Sequence, residues 1–537
     1  MEILHKQKIK FYLKLIILFF NLFLYTNCFA QEFLISPTNF NISSIPSHQD
    51  SIFPESALNN NLAIGFNRAK ICWYIIDPSA FYRNSSITPP NIAADLKNHL
   101  SREVFEKEIY PDIEYHNWIP TSLSIFNISF YPKEKGPYNF DLDSSLYSAG
   151  INSLGYLNKP KSRWGGIMRG FDEYSRNYFR SGLVNYLAFW LMDPFVYNQN
   201  SNGGELIFQF GDISEDILKD GKLFVESTIS SNMSAWGYTS PNTSPPYYFN
   251  YNNDPYDVGF DGLSDIQERT FHSNYINYIK NSFGTNSIAY QKAYNEPSND
   301  NADHYLGSHL NAINASILQR YKNYNNSQGN TNTDYSINEN SITTMPDIED
   351  FNRNGILDTS ENYVEYKINL NPQELYIGQN YIRNKITVNP IDGDGAPVNW
   401  YKFLIPLDSI FPTVYGNFNN IDSTKFIRII LRNFSDSVIL RLAYFSFVKD
   451  DINPYPPISY FDIMNPNPAN ETVYIESAEI IESIGIYDLL GRKIYLNNDI
   501  NNNSINLNLN FIKNNGLYLI NLKGHDLNLT RKLFIQH

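Results

Sequence analysis

Cysteine is nearly missing from this sequence: there are 2 in 537 residues. One of them, Cys28, sits just behind the only long apolar run, and Cys72 is the other. A chain with one cysteine beyond that run cannot brace itself with an internal disulfide. The setting of Cys72, Lys70-Ile-Cys-Trp-Tyr-Ile-Ile76, reads as a buried strand thiol with no matching base for catalysis. Positive charge is also short, with 41 Lys and Arg against 55 Asp and Glu and a formal charge of −14. A chain this acidic repels the phosphate backbone, which excludes nucleic acid as a partner. Beyond Leu15–Leu24 no run approaches the roughly 18 apolar residues that a membrane helix requires. The weak alternating signal of a β-barrel is not excluded on that ground. A Gly-rich phosphate loop, a nucleophile elbow and H-E-x-x-H are all missing, so an enzyme is not expected.

What is present begins with a export signal. Lys6, Lys8, Lys10 and Lys14 precede LIILFFNLFL, and Asn27-Cys-Phe-Ala30 ends the segment before Gln31. This is the anatomy of a secretory signal peptide over residues 1–30 with cleavage after Ala30. A lipoprotein anchored through Cys28 is the weaker rival, because Tyr25-Thr-Asn27 lack the small residues such a site wants. The segment carries a net +3, so its removal takes the formal charge from −14 to −17.

Tyr (40) and Phe (36) are abundant, and with Ile, Thr and many Asn-rich turns they favour β-structure. SLSIFNISFY (122–131), LVNYLAFWLMDPF (183–195), ELIFQF (205–210), WYKFLIPL (400–407), FIRIILRNF (426–434) and SVILRLAYFSFV (437–448) read as strands. The expected fold is mostly β: a jelly-roll or β-sandwich-like body at 62–450 with long loops and a few short helices. Helices are expected at 95–109 and at roughly 264–282, where Phe271, Tyr275 and Tyr278 fall at helical spacing. Residues 31–61 read as a polar leader and 297–345 as long loops. Asp450-Asp-Ile-Asn-Pro-Tyr-Pro-Pro457 supplies a Pro-rich linker at 451–457, and 458–537 reads as a small Ig-like C-terminal sandwich.

Two stretches carry the ligand spacing of a calcium loop. In DFNRNGILDTSE the side chains of Asp350, Asn352, Asn354, Asp358 and Glu361, with the Ile356 carbonyl, would surround one ion, and Gly355 permits the turn. In DVGFDGLSDIQE the corresponding set is Asp257, Asp261, Asp265, Glu268 and the Leu263 carbonyl, with Gly259 where a third-position ligand belongs. The cofactor implied is a structural calcium ion. The competing reading is a pair of Asx-rich turns and helix caps. The acids of Gly211-Asp-Ile-Ser-Glu-Asp216 are better placed around a helix start than as a glycosidase pair. Trp73, Trp164, Trp190, Trp236 and Trp400 read as core, with a glycan-stacking platform as the alternative.

Several blocks carry a family resemblance. Arg68-Ala-Lys-Ile-Cys-Trp-Tyr74, Tyr131-Pro-Lys-Glu-Lys-Gly-Pro-Tyr-Asn139, Arg163-Trp-Gly-Gly-Ile-Met-Arg169, Phe189-Trp-Leu-Met-Asp-Pro-Phe195, Gly211-Asp-Ile-Ser-Glu-Asp-Ile-Leu-Lys-Asp220, DVGFDGL and Gln379-Asn380 occur in order. Together they resemble a domain of SprA (Sov), the outer-membrane translocon of the type IX secretion system, which is linked to gliding motility. The tail blocks Asn465-Pro-Asn-Pro-Ala469, ESIGIYDLLGRKIY, NNGLYLINL and TRKLFIQ resemble a type A sorting domain of that system's cargo; an ordinary Ig-like module is the alternative. The resemblances imply export to the cell surface or medium and type IX machinery as partner. They also imply a structural or accessory role in secretion or gliding. A chain of this size cannot supply the translocon's giant barrel. The alternative function is a secreted adhesin that binds surface glycan or lipopolysaccharide.

Overall fold

The computed structural model describes residues 32–111, 122–226, 232–239, 257–331, 342–343, 346–390, 395–407, 412–449, 463–465, 469–488, 492–523 and 528–535. The signal segment 1–30 and the linker 451–457 lie outside the described residues. The chain divides into two compact units, one drawn from Met1–Val104 and Leu123–Asp451, the other from Phe105–Ser122 and Ile452–His537.

In the first unit the strands are β1 (Glu32–Leu34), β2 (Asn41–Ile42), β3 (Ala69–Tyr74), β4 (Phe126–Lys135), β5 (Trp164–Gly170), β6 (Tyr186–Met192), β7 (Gly204–Asp212), β8 (Asn232–Met233), β9 (Tyr238–Thr239), β10 (Asn362–Leu370), β11 (Ile382–Val388), β12 (Val398–Pro406), β13 (Thr413–Tyr415), β14 (Phe426–Arg432) and β15 (Val438–Val448). One sheet runs β11-β12-β6-β15-β4-β3 with β1 added on β15, and the other runs β13-β10-β7-β14-β5-β2. Take β4, β5, β6, β7, β10, β12, β14 and β15 as first to eighth. The first sheet then reads sixth-third-eighth-first and the second reads fifth-fourth-seventh-second. That order is jelly-roll connectivity, two Greek keys wound over one core.

The sheets face each other through aromatic rings. Phe189 of β6 lies 5.6 Å from Phe208 of β7, Phe208 lies 6.1 Å from Phe445, and Phe210 lies 5.9 Å from Phe447. Such ring pairs add stabilisation beyond their buried area. The central strands are apolar on consecutive residues because both faces are covered. In β7 the inward Leu206, Phe208 and Phe210 alternate with Ile207 and Gln209, yet all five are at most 1% exposed.

Four sequence expectations change. Residues 32–61 are no loose leader: β1 and β2 pair with β15 and β5, and Ile35, Phe40, Ile42 and Phe53 are buried. The helix at 95–109 shrinks to a 3-10 turn at Asp95–Lys97 and one turn at Glu106–Ile109. Arg441 explains the loss, since its guanidinium bonds the carbonyls of His99 and Arg102 (2.8 Å to the latter) and so competes with helical amides. The 264–282 pattern appears as Asp265–Phe271 and Ser273–Phe283, broken at His272, whose ring is drawn to the Trp236 carbonyl at 3.0 Å. Within 297–345 the helices Ser308–Ala312 and Ile317–Arg320 stand where loops were expected, the second closed by a Ser316/Gln319 capping box.

In the second unit β16 (Ile463–Asn465), β17 (Thr472–Ile481) and β20 (Asn502–Asn508) form one antiparallel sheet. Its companion is built from β18 (Ser483–Tyr487), β19 (Lys493–Asn497), β21 (Gly516–Lys523) and β22 (Asn528–Ile535). Val473, Ile475, Ile484, Ile486, Ile520 and Leu522 share one core between them.

Candidate functional site

The 350–361 loop closes largely on its own amides. The Asp350 carboxylate accepts from Asn354 N and Gly355 N, each at 2.9 Å, and Asn354 Oδ1 accepts from Ile356 N at 2.8 Å. Gly355 needs its φ of 80° for this turn, a backbone region where a Cβ is strained. Asn352 and Asn354 donate to Asp358 Oδ2 at 2.6 and 3.0 Å, and Lys425 reaches Asp358 Oδ1 at 2.9 Å. Asp350, Asn352, Asn354 and Asp358 thus converge, while Ile356 is 65% exposed. Glu361 departs from the sequence expectation. Both its oxygens are gripped by Arg428, at 2.9 Å from Nη1 and 2.9 Å from Nη2, so a guanidinium takes the bidentate place assigned to a cation.

The 257–268 loop is divided between two acidic clusters. Asp257 turns away and accepts from Gly329 N (2.8 Å) and Thr331 N (3.0 Å), beside Glu226. Asp265 accepts from Asn301 Nδ2 at 3.2 Å. Ser264 and Gln267 form a capping box at the start of helix Asp265–Phe271. Asp261 and Glu268 do meet, and a third carboxylate joins them, Asp300. Oxygens of the three lie within 4.8 Å of one another, at 2%, 0% and 0% exposure. Asp300 carried no signal in the sequence. It stands in a polar stretch read as loop, and only the fold brings it to Asp261.

Glu215 and Asp216 also depart from expectation, because no helix begins there. Glu215 accepts from Phe351 N (2.5 Å), Asn352 N (3.1 Å) and Asp358 N (3.2 Å), while Asp216 accepts from Asp220 N (3.0 Å) and Gly221 N (2.8 Å). These acids orient loops by capping backbone amides.

Burial pushes Glu215 up to about 8, Asp347 up to about 7, and Asp216 and Asp257 up to about 6. Such a carboxyl binds its proton more tightly folded than unfolded, so stability falls as pH rises from the ordinary carboxylate range towards these values. Asp77, Asp172 and Asp436 are lowered and act only below this window, while His272, lowered by burial to about 4, and Lys135, lowered by burial to about 7, oppose the trend within it but are outnumbered by the raised carboxyls. The expected outcome is a lower melting temperature at about pH 8 than at about pH 5 in cation-free buffer. A melt that is flat or rises across that window removes the interpretation.

The five tryptophans named for an aromatic platform lie in the core. Trp73, Trp164, Trp190, Trp236 and Trp400 are all buried, none above 4% exposed. The Cys72 thiol is buried and pushed up to about 12 by loss of water, which makes it a poor nucleophile.

The quoted sequence blocks supply a buried polar frame. Asn139 Nδ2 holds the carbonyls of Phe66 (3.0 Å) and Arg68 (2.6 Å), and Arg68 Nη2 holds that of Ile217 (3.1 Å). Arg163 holds those of Phe66, Gly150 and Asn158 at 2.7, 2.9 and 3.0 Å and pairs with Asp141. The first unit is therefore a jelly-roll sandwich whose loops are fastened from inside by arginines and carboxylates.

Residues 274–515 match the family SprA_N, described as a motility related/secretion protein. The chain thus resembles a SprA-type domain over that stretch, somewhat under half its length, and the match points to a motility- or secretion-related role. The matched stretch starts within helix Ser273–Phe283, includes Asp300 and the 350–361 loop, and ends inside the second unit. No curated protein matches the chain.

Proposed function

We propose that this is an exported cell-surface protein with a structural or accessory role in type IX secretion or gliding, acting by binding rather than catalysis. The observation that carries the reading is the SprA-type match across residues 274–515. Two further features support it. The quoted blocks hold loop carbonyls from inside the sandwich, which is the work of a scaffold, and no helix among the described residues is long and apolar enough to cross a membrane. On this reading the type IX machinery is the partner, residues 1–30 direct export, and the tail is a sorting domain. Deletion of the gene is expected to impair secretion or gliding; intact secretion and gliding in the deletion strain would overturn the role. Mass spectrometry of surface and medium fractions is expected to find Gln31 as the N-terminus. It is also expected to find a form that has lost the tail.

A further inference from the structure

We propose that Asp261, Glu268 and Asp300, with the Gln328 side-chain oxygen and the Leu263 carbonyl, bind one calcium ion inside the first unit. Ligands on a sphere of about 2.4 Å radius are at most about 4.8 Å apart. The three carboxylates meet that limit with all three buried.

Asp300 is the independent witness. It is 0% exposed, and neither oxygen meets a donor among the described residues. The adjacent Tyr138 hydroxyl accepts from Phe260 N at 2.7 Å and pairs with Ser327 Oγ at 2.8 Å, and it is the one hydroxyl among the described residues that bears on the Asp300 carboxylate, a single neutral donor beside a buried charge. The charged neighbours acting on the Asp300 and Glu268 carboxylates are further acids, Asp265 and Glu296 among them. An uncompensated carboxylate in such surroundings is costly, and a cation satisfies it.

Gly259 shows how the loop is completed. A Cβ on Gly259 would lie 1.8 Å from Asp300 Oδ2, so this carboxylate enters the space that a third-position side chain would fill. A residue forty-one positions on thus supplies the ligand that DVGFDGLSDIQE lacks. Gln328 N bonds Asp300 O at 3.0 Å and Ala302 N bonds Gln328 O at 2.7 Å, which holds Gln328 beside the cluster.

The Gln328 amide gives the second argument. With Nε2 on Asn301 Oδ1 at 3.0 Å, its Oε1 lies 3.0 Å from Glu268 Oε1 and 3.3 Å from the Leu263 carbonyl. Turned the other way, it donates to Glu268 Oε1 at 3.0 Å and to the Leu263 carbonyl at 3.3 Å, but sets its own oxygen against Asn301 Oδ1 at 3.0 Å. Asn301 cannot turn in compensation, since its Nδ2 is already on Asp265. Either way oxygens crowd together, and a cation among Oε1, Glu268 and Leu263 relieves the first arrangement. An all-oxygen, carboxylate-rich set is calcium chemistry. The ion would staple the segments around 261, 300 and 328 into one body.

The test uses the protein from Gln31 to His537, stripped with chelator and titrated with calcium chloride. Calcium is expected to raise the melting temperature by several degrees. Terbium is expected to bind in competition with calcium and to give luminescence sensitised by Tyr138. Asp300→Asn is expected to abolish both signals, whereas Asp350→Asn keeps them. If Asp300→Asn fails to fold, Gln328→Leu serves in its place and is expected to weaken terbium binding at least tenfold. No calcium response in the wild-type protein overturns the proposal. So does a response that survives Asp300→Asn and is lost in Asp350→Asn.

Discussion

Asp141→Ala is expected to cost about 3–5 kcal/mol, a large share of the roughly 5–15 kcal/mol that holds a domain folded. Asp141 Oδ2 lies 2.8 Å from Arg163 Nη1, and both side chains are 0% exposed. Removing the acid leaves a guanidinium in a dry interior with only carbonyls to face. Those carbonyls, of Phe66, Gly150 and Asn158, belong to the loops that Arg163 fastens, so a displaced guanidinium loosens all three. Ser148 Oγ also donates to the other Asp141 oxygen, and that hydroxyl would be orphaned. The check is the denaturation midpoint in urea, measured beside Asp436→Ala. Asp436 pairs with Lys133 at 2.7 Å, with side chains 62% and 54% exposed, and its loss is expected to cost below about 1 kcal/mol. Equal midpoints for the two variants would show that burial of the first pair contributes nothing special.

Glu361→Ala is expected to cost a similar 3–5 kcal/mol, and by the same amount with calcium and with chelator. Without Glu361, the buried Arg428 keeps hydrogen bonds to Gln209 Oε1 at 2.6 Å and Ser44 Oγ at 3.2 Å and the face of the Tyr363 ring at 5.1 Å, with no anion among these partners. Ser214 N and Ser47 N lose an acceptor as well, at 3.2 and 3.3 Å. The double variant Arg428→Met, Glu361→Leu is expected to recover most of the loss, because an apolar pair of similar size replaces a buried ion pair at little cost. A loss that appears only when calcium is present would instead make Glu361 a metal ligand. These two outcomes separate the geometric account of the loop from the spacing account.

The difference between spacing and geometry recurs along the chain. DFNRNGILDTSE satisfies a calcium-loop pattern at every position, yet Arg428, sixty-seven residues further on, captures Glu361. DVGFDGLSDIQE fails the pattern at Gly259, yet Asp300 completes the cluster there. In the better motif a strand arginine holds the last carboxylate, and in the poorer one a loop carboxylate stands where a side chain is missing. Helix 95–109 teaches the same lesson in secondary structure. Its apolar spacing is helical, but Arg441 on β15 holds the carbonyls of His99 and Arg102.

The sequence by itself determined the runs that become strands, the aromatic weight of the core and the mostly-β class. These are local properties, written in short apolar runs rich in strand-forming residues and in composition, and the sheets use those runs where they stand. The order of the strands in two sheets, the burial of five of the six tryptophans and the meeting of Asp261, Glu268 and Asp300 were decided by tertiary structure. A jelly roll lays strands side by side that are far apart in the chain, so which charges become neighbours is a property of the crossings. Burial then sets what those charges do, since a carboxylate that would be solvated on a surface must find a donor, a proton or a cation inside.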